Sequence, residues 1–184
     1  MNANPYSPPT ARVDGPVAGR SGGTEAPFFA VSVTKLAVLS LLTFGLYELY
    51  WFYKNWHCIK KRERSSILPA ARALFGVFFC YACFARIRDY GERVGVAPRL
   101  SAGPLAAGWI VINLLSRLPE PWWLVSLLAF VMLLPVQDYV NRVNAKQAPN
   151  ADRNSRFTAW NWFGVVIGSL WLVLAMVGTF LPEQ

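Results

Sequence analysis

The fold is decided by residues Val31–Trp56, which read VSVTKLAVLSLLTFGLYELYWFYKNW. Within this stretch, Leu36–Tyr47 form a run of 12 residues without charge, and aromatic side chains then accumulate before the next basic residue, Lys54. A helix over 31–53 would be roughly 34 Å long, which is enough to cross a hydrocarbon core of about 30 Å. The stretch therefore predicts a membrane-spanning helix with aromatic anchors at one end.

The composition of the whole chain agrees with a membrane protein. The 184 residues are 54% hydrophobic, include eight tryptophans and have a mean hydropathy of +0.31, which is too apolar for a typical soluble domain of this length. We expect one helical membrane domain over 28–184. Residues 1–27 are rich in proline and lack a long apolar run, so they predict a disordered tail without a cleavable signal peptide.

Other apolar segments complete the prediction of an all-α, polytopic fold with four transmembrane helices. Three of them predict spans near 103–118, 121–136 and 160–181. A fourth segment, 73–85, has 13 residues between Arg72 and Arg86 and would be roughly 20 Å long as a helix. Its length favours an interfacial or re-entrant helix, and the alternative is a fifth span.

The distribution of charge predicts the orientation. The chain carries a net charge of +8, and residues 54–99 contain ten Lys/Arg against three acids, whereas residues 136–158 contain four against two. Basic segments that flank apolar spans are typical of a cytoplasmic membrane face rather than of a nucleic-acid-binding surface. With four spans, both termini are expected outside the cytoplasm. The cations expected to contact anionic headgroups are Lys54, Lys60, Lys61, Arg62 and Arg64.

Three glycines inside predicted spans indicate helix packing. Gly164-x-x-x-Gly168 has the spacing that lets two helices approach closely, and Gly45 permits a similar approach in the first span. The glycines therefore predict contacts with a homo-oligomer or with another membrane protein.

Glu48 is the ionisable group with the most functional interest. An acid inside a predicted span is a candidate ion or proton site, because such a group is costly to keep in lipid. The alternative is a structural role, in which Glu48 pairs with Arg86 or Arg88 or reaches the headgroups.

Cysteine and histidine offer only weak signs of chemistry. Cys80-x-x-Cys83 lies in the middle of an apolar run, where buried thiols are more common than redox pairs. Together with His57 and Cys58 it supplies four possible zinc ligands, but adjacent ligands depart from the usual half-site, so no metal is predicted. The sequence has no phosphate loop, no Ser/His/Asp set and a single histidine, which disfavours an enzyme and any cofactor.

One motif resembles a known group of proteins. Thr43, Gly45, Tyr47, Tyr50 and Trp51 form a T-x-G-x-Y-x-x-Y-W pattern, which resembles the first span of small bacterial inner-membrane proteins of the domain-of-unknown-function class. Two later runs are similar to longer relatives of that class: Asn141-Arg142-Val143-Asn144 and Trp160-Asn161-Trp162. The resemblance implies a multi-pass protein of the bacterial inner membrane and supplies no activity.

Three functional hypotheses follow from these features. The leading one is a non-enzymatic accessory or scaffold protein that acts by helix–helix association. The second is a small transporter or channel centred on Glu48. The third is a thiol enzyme that uses Cys80 and Cys83.

Overall fold

The computed structural model describes residues 25–180, which are helical and contain no strand. Residues 1–24 of the predicted tail 1–27 and the end of the last predicted span at Leu181 lie outside the described residues. The last three residues of the predicted tail, 25–27, pack against the helix Leu46–Glu63. The α-helices are α1 (Val33–Leu42), α2 (Leu46–Glu63), α3 (Pro69–Leu74), α4 (Gly76–Arg93), α5 (Ala102–Leu114), α6 (Leu134–Gln147) and α7 (Ala159–Phe180). Two 3-10 helices, Leu115–Arg117 and Trp122–Leu133, extend α5 and precede α6.

The stretch that predicted the first span forms two helices rather than one. Between α1 and α2 the backbone is left-handed at Phe44 (φ 51°) and at Gly45 (φ 82°), and an α-helix cannot contain two such residues. The hydroxyl of Thr43 then accepts a hydrogen bond from the N–H of Tyr47 at 2.9 Å and caps the start of α2. The prediction of a continuous helix over 31–53 is therefore wrong.

The two helices form a hairpin whose ends lie at the same end of the molecule. Residues 25–32, which we call the strap, run antiparallel to α2 before α1 begins. Glu25 forms an ion pair with Lys61, and the carbonyl of Pro27 accepts a hydrogen bond from Arg62 at 3.2 Å. The stretch therefore does not run from one end of the molecule to the other.

Most of the charge gathers where the strap lies, and we call this region the basic end. It comprises the strap, the last turns of α2, α4 and α6, and the segment 148–158. The guanidinium of Arg62 in α2 lies 4.4 Å from the ring of Tyr90 in α4, and Phe28 of the strap exchanges two hydrogen bonds with Asn144 of α6. The start of α7 joins the same end through Lys35, which donates to the carbonyl of Arg156 at 2.9 Å.

A second hairpin follows the first. The predicted interfacial segment 73–85 corresponds to the end of α3, a turn at Phe75 and the first part of α4. The helix does not end at the first charge as predicted but continues to Arg93, because its charged residues find partners at the basic end. Arg86 pairs with Glu63 at 3.3 Å.

The third hairpin contains two of the predicted spans. The span 103–118 corresponds to α5 with its 3-10 extension, and the span 121–136 corresponds to Trp122–Leu133, which continues without a break into α6. The two limbs pack closely at Gly108, where an added Cβ would lie 2.8 Å from the sulfur of Met132. Trp122–Gln147, with 26 residues, and α7, with 22, are long and apolar enough to cross a membrane.

Helix α7 is the last helix of the described chain, and little of its surface is covered by the other helices. Thr158 and Asn161 cap its start by exchanging side-chain and backbone hydrogen bonds at 3.1 and 3.3 Å. Gly168 is its one buried residue among those described. The large apolar side chains along its whole length are exposed, including Trp160, Phe163, Val166, Leu170, Trp171 and Phe180.

The core lies between α2, α4, α5 and α6. Its largest members are aromatic, and the rings of Phe52 and Phe84 stack with centroids 6.0 Å apart. Trp51, Trp56 and Tyr139 are also completely buried. This packing fixes the relative position of the helices that carry the polar sites described next.

Candidate functional site

The acid at Glu48 lies inside the fold rather than at its surface. It sits in the first turn of α2, immediately after the Gly45 turn, and only 5% of it is exposed. Its Oε2 atom accepts a hydrogen bond from the indole Nε1–H of Trp109 in α5 at 2.6 Å. A hydrogen bond of this length ties the tip of the first hairpin to the middle of α5.

The surroundings of this pair are apolar. The ring of Phe52 meets that of Trp109 edge-on with centroids 5.0 Å apart, and an added Cβ at Gly76 would lie 3.2 Å from the same indole. Within residues 25–180, Glu48 forms no ion pair. The neutral indole is thus the partner that the described chain provides for this carboxyl group.

The arginines proposed as partners for Glu48 are engaged elsewhere. Arg86 pairs with Glu63, and Arg88 lies 2.8 Å from Asp89 and 3.9 Å from Glu92. The predicted pairing of Glu48 with either arginine is therefore wrong. The cause is the direction of α4, whose charged residues occupy its last turns near the basic end, whereas Glu48 lies near the opposite tip of its hairpin.

A second buried polar site holds the strap by its backbone. Gln137 of α6 is completely buried and accepts a hydrogen bond from the indole Nε1–H of Trp51 at 2.5 Å. Its amide nitrogen lies 3.1 Å from the carbonyl oxygen of Val31, 3.3 Å from that of Phe29 and 2.9 Å from the side-chain oxygen of Asn141. One side chain therefore links the strap, α2 and α6.

Four asparagines extend this site along the strap. Each places a side-chain amide on a backbone N–H or C=O of residues 28–31, so the extended segment is satisfied without pairing in a sheet. With Gln137 they form what we call the amide clamp: Asn55, Gln137, Asn141, Asn144 and Asn154. The clamp fixes the point at which the chain enters the first hairpin.

Reasoning from sequence did not identify the clamp or Trp109. A signal for the clamp was present, because Gln137, Asn141 and Asn144 follow one another at spacings of four and three and so share one face of a helix. No comparable pattern marks Trp109 as the partner of Glu48, since the two residues are 61 positions apart.

The cations predicted to meet headgroups divide into two groups. Lys54, Lys61 and Arg62 contact the strap: Lys54 lies 5.7 Å above the ring of Phe29, and Arg62 lies 4.4 Å from the ring of Phe28. Arg64 ends α2 with φ 49°, and Lys60 lies in its last turn. Lys60, Lys61, Arg62 and Arg64 lie at the basic end, and Lys54 lies midway along α2.

The possible zinc ligands are not brought together. Cys80 and Cys83 are completely buried in α4, and the Cys80 thiol faces the carbonyl of Ala106 at 3.9 Å. His57 and Cys58 lie in α2, and no group of three or more metal-ligating side chains forms among residues 25–180. Partial burial raises the pKa of the Cys58 thiol, which lowers its reactivity at neutral pH.

The three packing glycines have different surroundings. An added Cβ at Gly168 would lie 1.9 Å from the carbonyl oxygen of Leu42, so α1 of the same chain occupies this face of α7. Gly164 has no heavy atom within 4 Å of the equivalent position. Gly45 serves the turn, because its positive φ is one that glycine adopts without strain.

Known proteins give no further guide to the site, since neither family models, nor curated proteins, nor solved structures yield a match to the chain.

Proposed function

We propose that this chain is a membrane-embedded accessory or scaffold protein that acts through its packing surfaces rather than through a catalytic centre. The observation that carries the proposal is α7, which has 22 uncharged residues and buries Gly168 alone. A helix this apolar and this uncovered is stable in lipid or against another membrane protein, and it is unfavourable in water.

In the proposed topology, the basic end lies in the cytoplasm. Basic segments are retained on that side by the positive-inside rule, and the strap lies among them. The two limbs of the third hairpin and α7 then cross the membrane, whereas the first two hairpins re-enter from the cytoplasmic side. By analogy with the resembled proteins, the membrane is the bacterial inner membrane.

Two glycine substitutions on α7 test the association. Gly164→Leu fills open space beside the chain, so we expect it to keep the fold and to weaken a homo-oligomer or partner complex detected by crosslinking in membranes. Gly168→Leu is the matched control for folding. It drives a side chain into the Leu42 carbonyl and should destabilise the chain itself by about 3 kcal/mol or more.

The two variants separate the possible outcomes. Loss of crosslinking in a folded Gly164→Leu protein supports association through the open face of α7. Unchanged crosslinking in that variant would reject this face as the association surface.

A transporter or channel is the second candidate, and the buried Glu48 favours it. The carboxyl group has a neutral partner in Trp109, so it could carry a proton or hold a cation. Glu48→Gln should then abolish proton- or ion-dependent flux in proteoliposomes. Equal flux through both forms would reject this candidate.

A further inference from the structure

The first hairpin reaches only about half the length of α7. Leu42, at the end of α1, meets Gly168, which is the tenth residue of α7. At 1.5 Å per residue this contact lies about 14 Å from the start of a helix that is about 33 Å long. Because Leu42 is the last residue of α1, that helix ends at this level of α7.

The second hairpin stops at a similar level. Gly76, at its turn, packs on Trp109, which is the eighth residue of α5. That position is about 10 Å from the start of α5. Because Trp109 also binds Glu48 beside the first turn, the two tips lie side by side.

Beyond the tips the molecule is thinner. A cavity of about 400 Å³ lies there between the Trp122–Leu133 helix and the second half of α7. It is lined by Leu124, Val125, Leu128, Leu172 and Met176, together with Leu41 of α1. The cavity marks the place where the first hairpin ends and its neighbours continue.

Both tips expose large apolar side chains. Leu46 at the first tip is 66% exposed, and Leu74 and Phe78 at the second are 70% and 78% exposed. One turn before the second tip, Arg72 stacks on the ring of Trp56 at 4.4 Å, and midway along α2, Lys54 lies over Phe29. Apolar tips beside these cations fit phospholipids with anionic headgroups. The headgroups meet the cations, and the acyl chains contact the tips.

We propose that the protein is wedge-shaped and occupies more area in the leaflet at its basic end than in the other leaflet. It therefore prefers curved membranes whose convex side lies at its basic end. This inference rests on the membrane placement proposed above. Besides the short α3, six longer limbs lie in the broad half: α1, α2, α4, α5, the Trp122–Gln147 helix and α7. Three continue into the narrow half: the end of α5 with its extension, the start of Trp122–Leu133 and the end of α7.

The difference in area is large for a chain of this size. A helix with its side chains is about 10–12 Å wide, so three additional limbs add roughly 250–350 Å² to one leaflet. A leaflet on the convex side of a curved bilayer has more area available than its partner. In the convex leaflet the broad half compresses the surrounding lipid less. The preference for curved membranes therefore depends on which side of the membrane the basic end faces.

The test is to reconstitute the full chain into vesicles of mixed size that contain anionic phospholipid. Protein carrying a fluorophore at Ser66→Cys, an exposed position at the basic end, is counted per membrane area on vesicles from about 50 to about 400 nm across. A membrane-impermeant quencher distinguishes molecules whose basic end faces outward from those in which it faces inward.

The wedge predicts opposite trends for the two orientations. Molecules with the basic end outward should be several-fold denser on the smallest vesicles, and molecules with the basic end inward should be depleted there. Equal density at all diameters, or the same trend in both orientations, overturns the wedge. Protein that alkaline carbonate extracts from the vesicles would instead reject the membrane placement itself, which separates the two failures.

Discussion

At the scale of single residues, the Glu48–Trp109 bond joins two parts of the chain that hydropathy treats as separate spans. The carboxyl group ties the tip of the first hairpin to α5 at 2.6 Å, in surroundings that offer no cation among the described residues. A buried donor that loses its acceptor costs more than the net contribution of the bond, so the indole depends on this acid.

Substitutions at Glu48 should distinguish the acceptor from the charge. Glu48→Gln keeps an oxygen for the Trp109 N–H, and we expect the free energy of unfolding to change by less than about 1 kcal/mol. Glu48→Ala leaves the N–H unpaired, and we expect a loss of about 1–3 kcal/mol, measured by unfolding in detergent followed by tryptophan fluorescence. Equal losses in the two variants would contradict a structural role for the bond.

Gln137 is the residue on which the strap depends most. It is the member of the amide clamp that contacts α2, α6 and the strap together, and it is completely buried. We expect Gln137→Leu to lower the free energy of unfolding by about 3 kcal/mol, because the Trp51 N–H loses its acceptor and the Phe29 carbonyl loses its donor. The same unfolding measurement checks this prediction.

An exposed amide supplies the control for this change. Asn150 lies in the loop after α6, and Asn150→Leu should leave unfolding within about 0.5 kcal/mol of the natural chain. If the two leucine variants unfold alike, the clamp does not hold the strap.

At the scale of helices, hydropathy predicts where helices lie in the sequence but not the direction in which each one runs. The segments near 103–118 and 121–136 are helical, as predicted from their apolar runs, and so is the described part of 160–181, which ends at Phe180. The stretch 31–53 is helical too, yet it reverses at Phe44 and Gly45. A hydropathy pattern is blind to this reversal, because apolar residues at a hairpin tip and in a continuous span have the same composition.

The sequence contains signs of the turn between α1 and α2, although its composition alone does not reveal them. The uncharged run Leu36–Tyr47 would be only about 18 Å long as a helix, and it reaches the length of a span only together with the aromatic residues that follow. Thr43 and Gly45 supply a cap and a positive φ between two polar ends. A short run with Lys35 and Glu48 at its borders is therefore compatible with a re-entrant hairpin.

The partners of the candidate site depend on tertiary structure and could not be predicted. Glu48 and Trp109 are 61 residues apart, and Trp51 and Gln137 are 86 apart. Charge patterning suggested arginines near Glu48, but those arginines lie near the other end of their helix. To predict which side chains pair, the direction of each helix must be known. The turn between α1 and α2 gives α2 a direction that a single continuous span does not predict.

At the scale of the whole molecule, the reversal changes the proposed topology. The strap lies against the basic segments, so the start of the described chain belongs to the basic end and the end of α7 lies at the opposite end. The proposed topology has three crossings in place of four, and it places the two ends of the described chain on different sides of the membrane. The wedge shape follows from the same reversal, since a hairpin adds area to one leaflet only.

The most direct test of this account is the side of the membrane on which residue 25 lies. Single cysteines are introduced at Glu25, Glu120 and Asn150, which are all exposed, in a chain lacking Cys58, Cys80 and Cys83. Sealed vesicles are then labelled with a membrane-impermeant maleimide. We predict that Glu25→Cys and Asn150→Cys are labelled from one side and Glu120→Cys from the other, whereas labelling of Glu25→Cys from the same side as Glu120→Cys would contradict the hairpin.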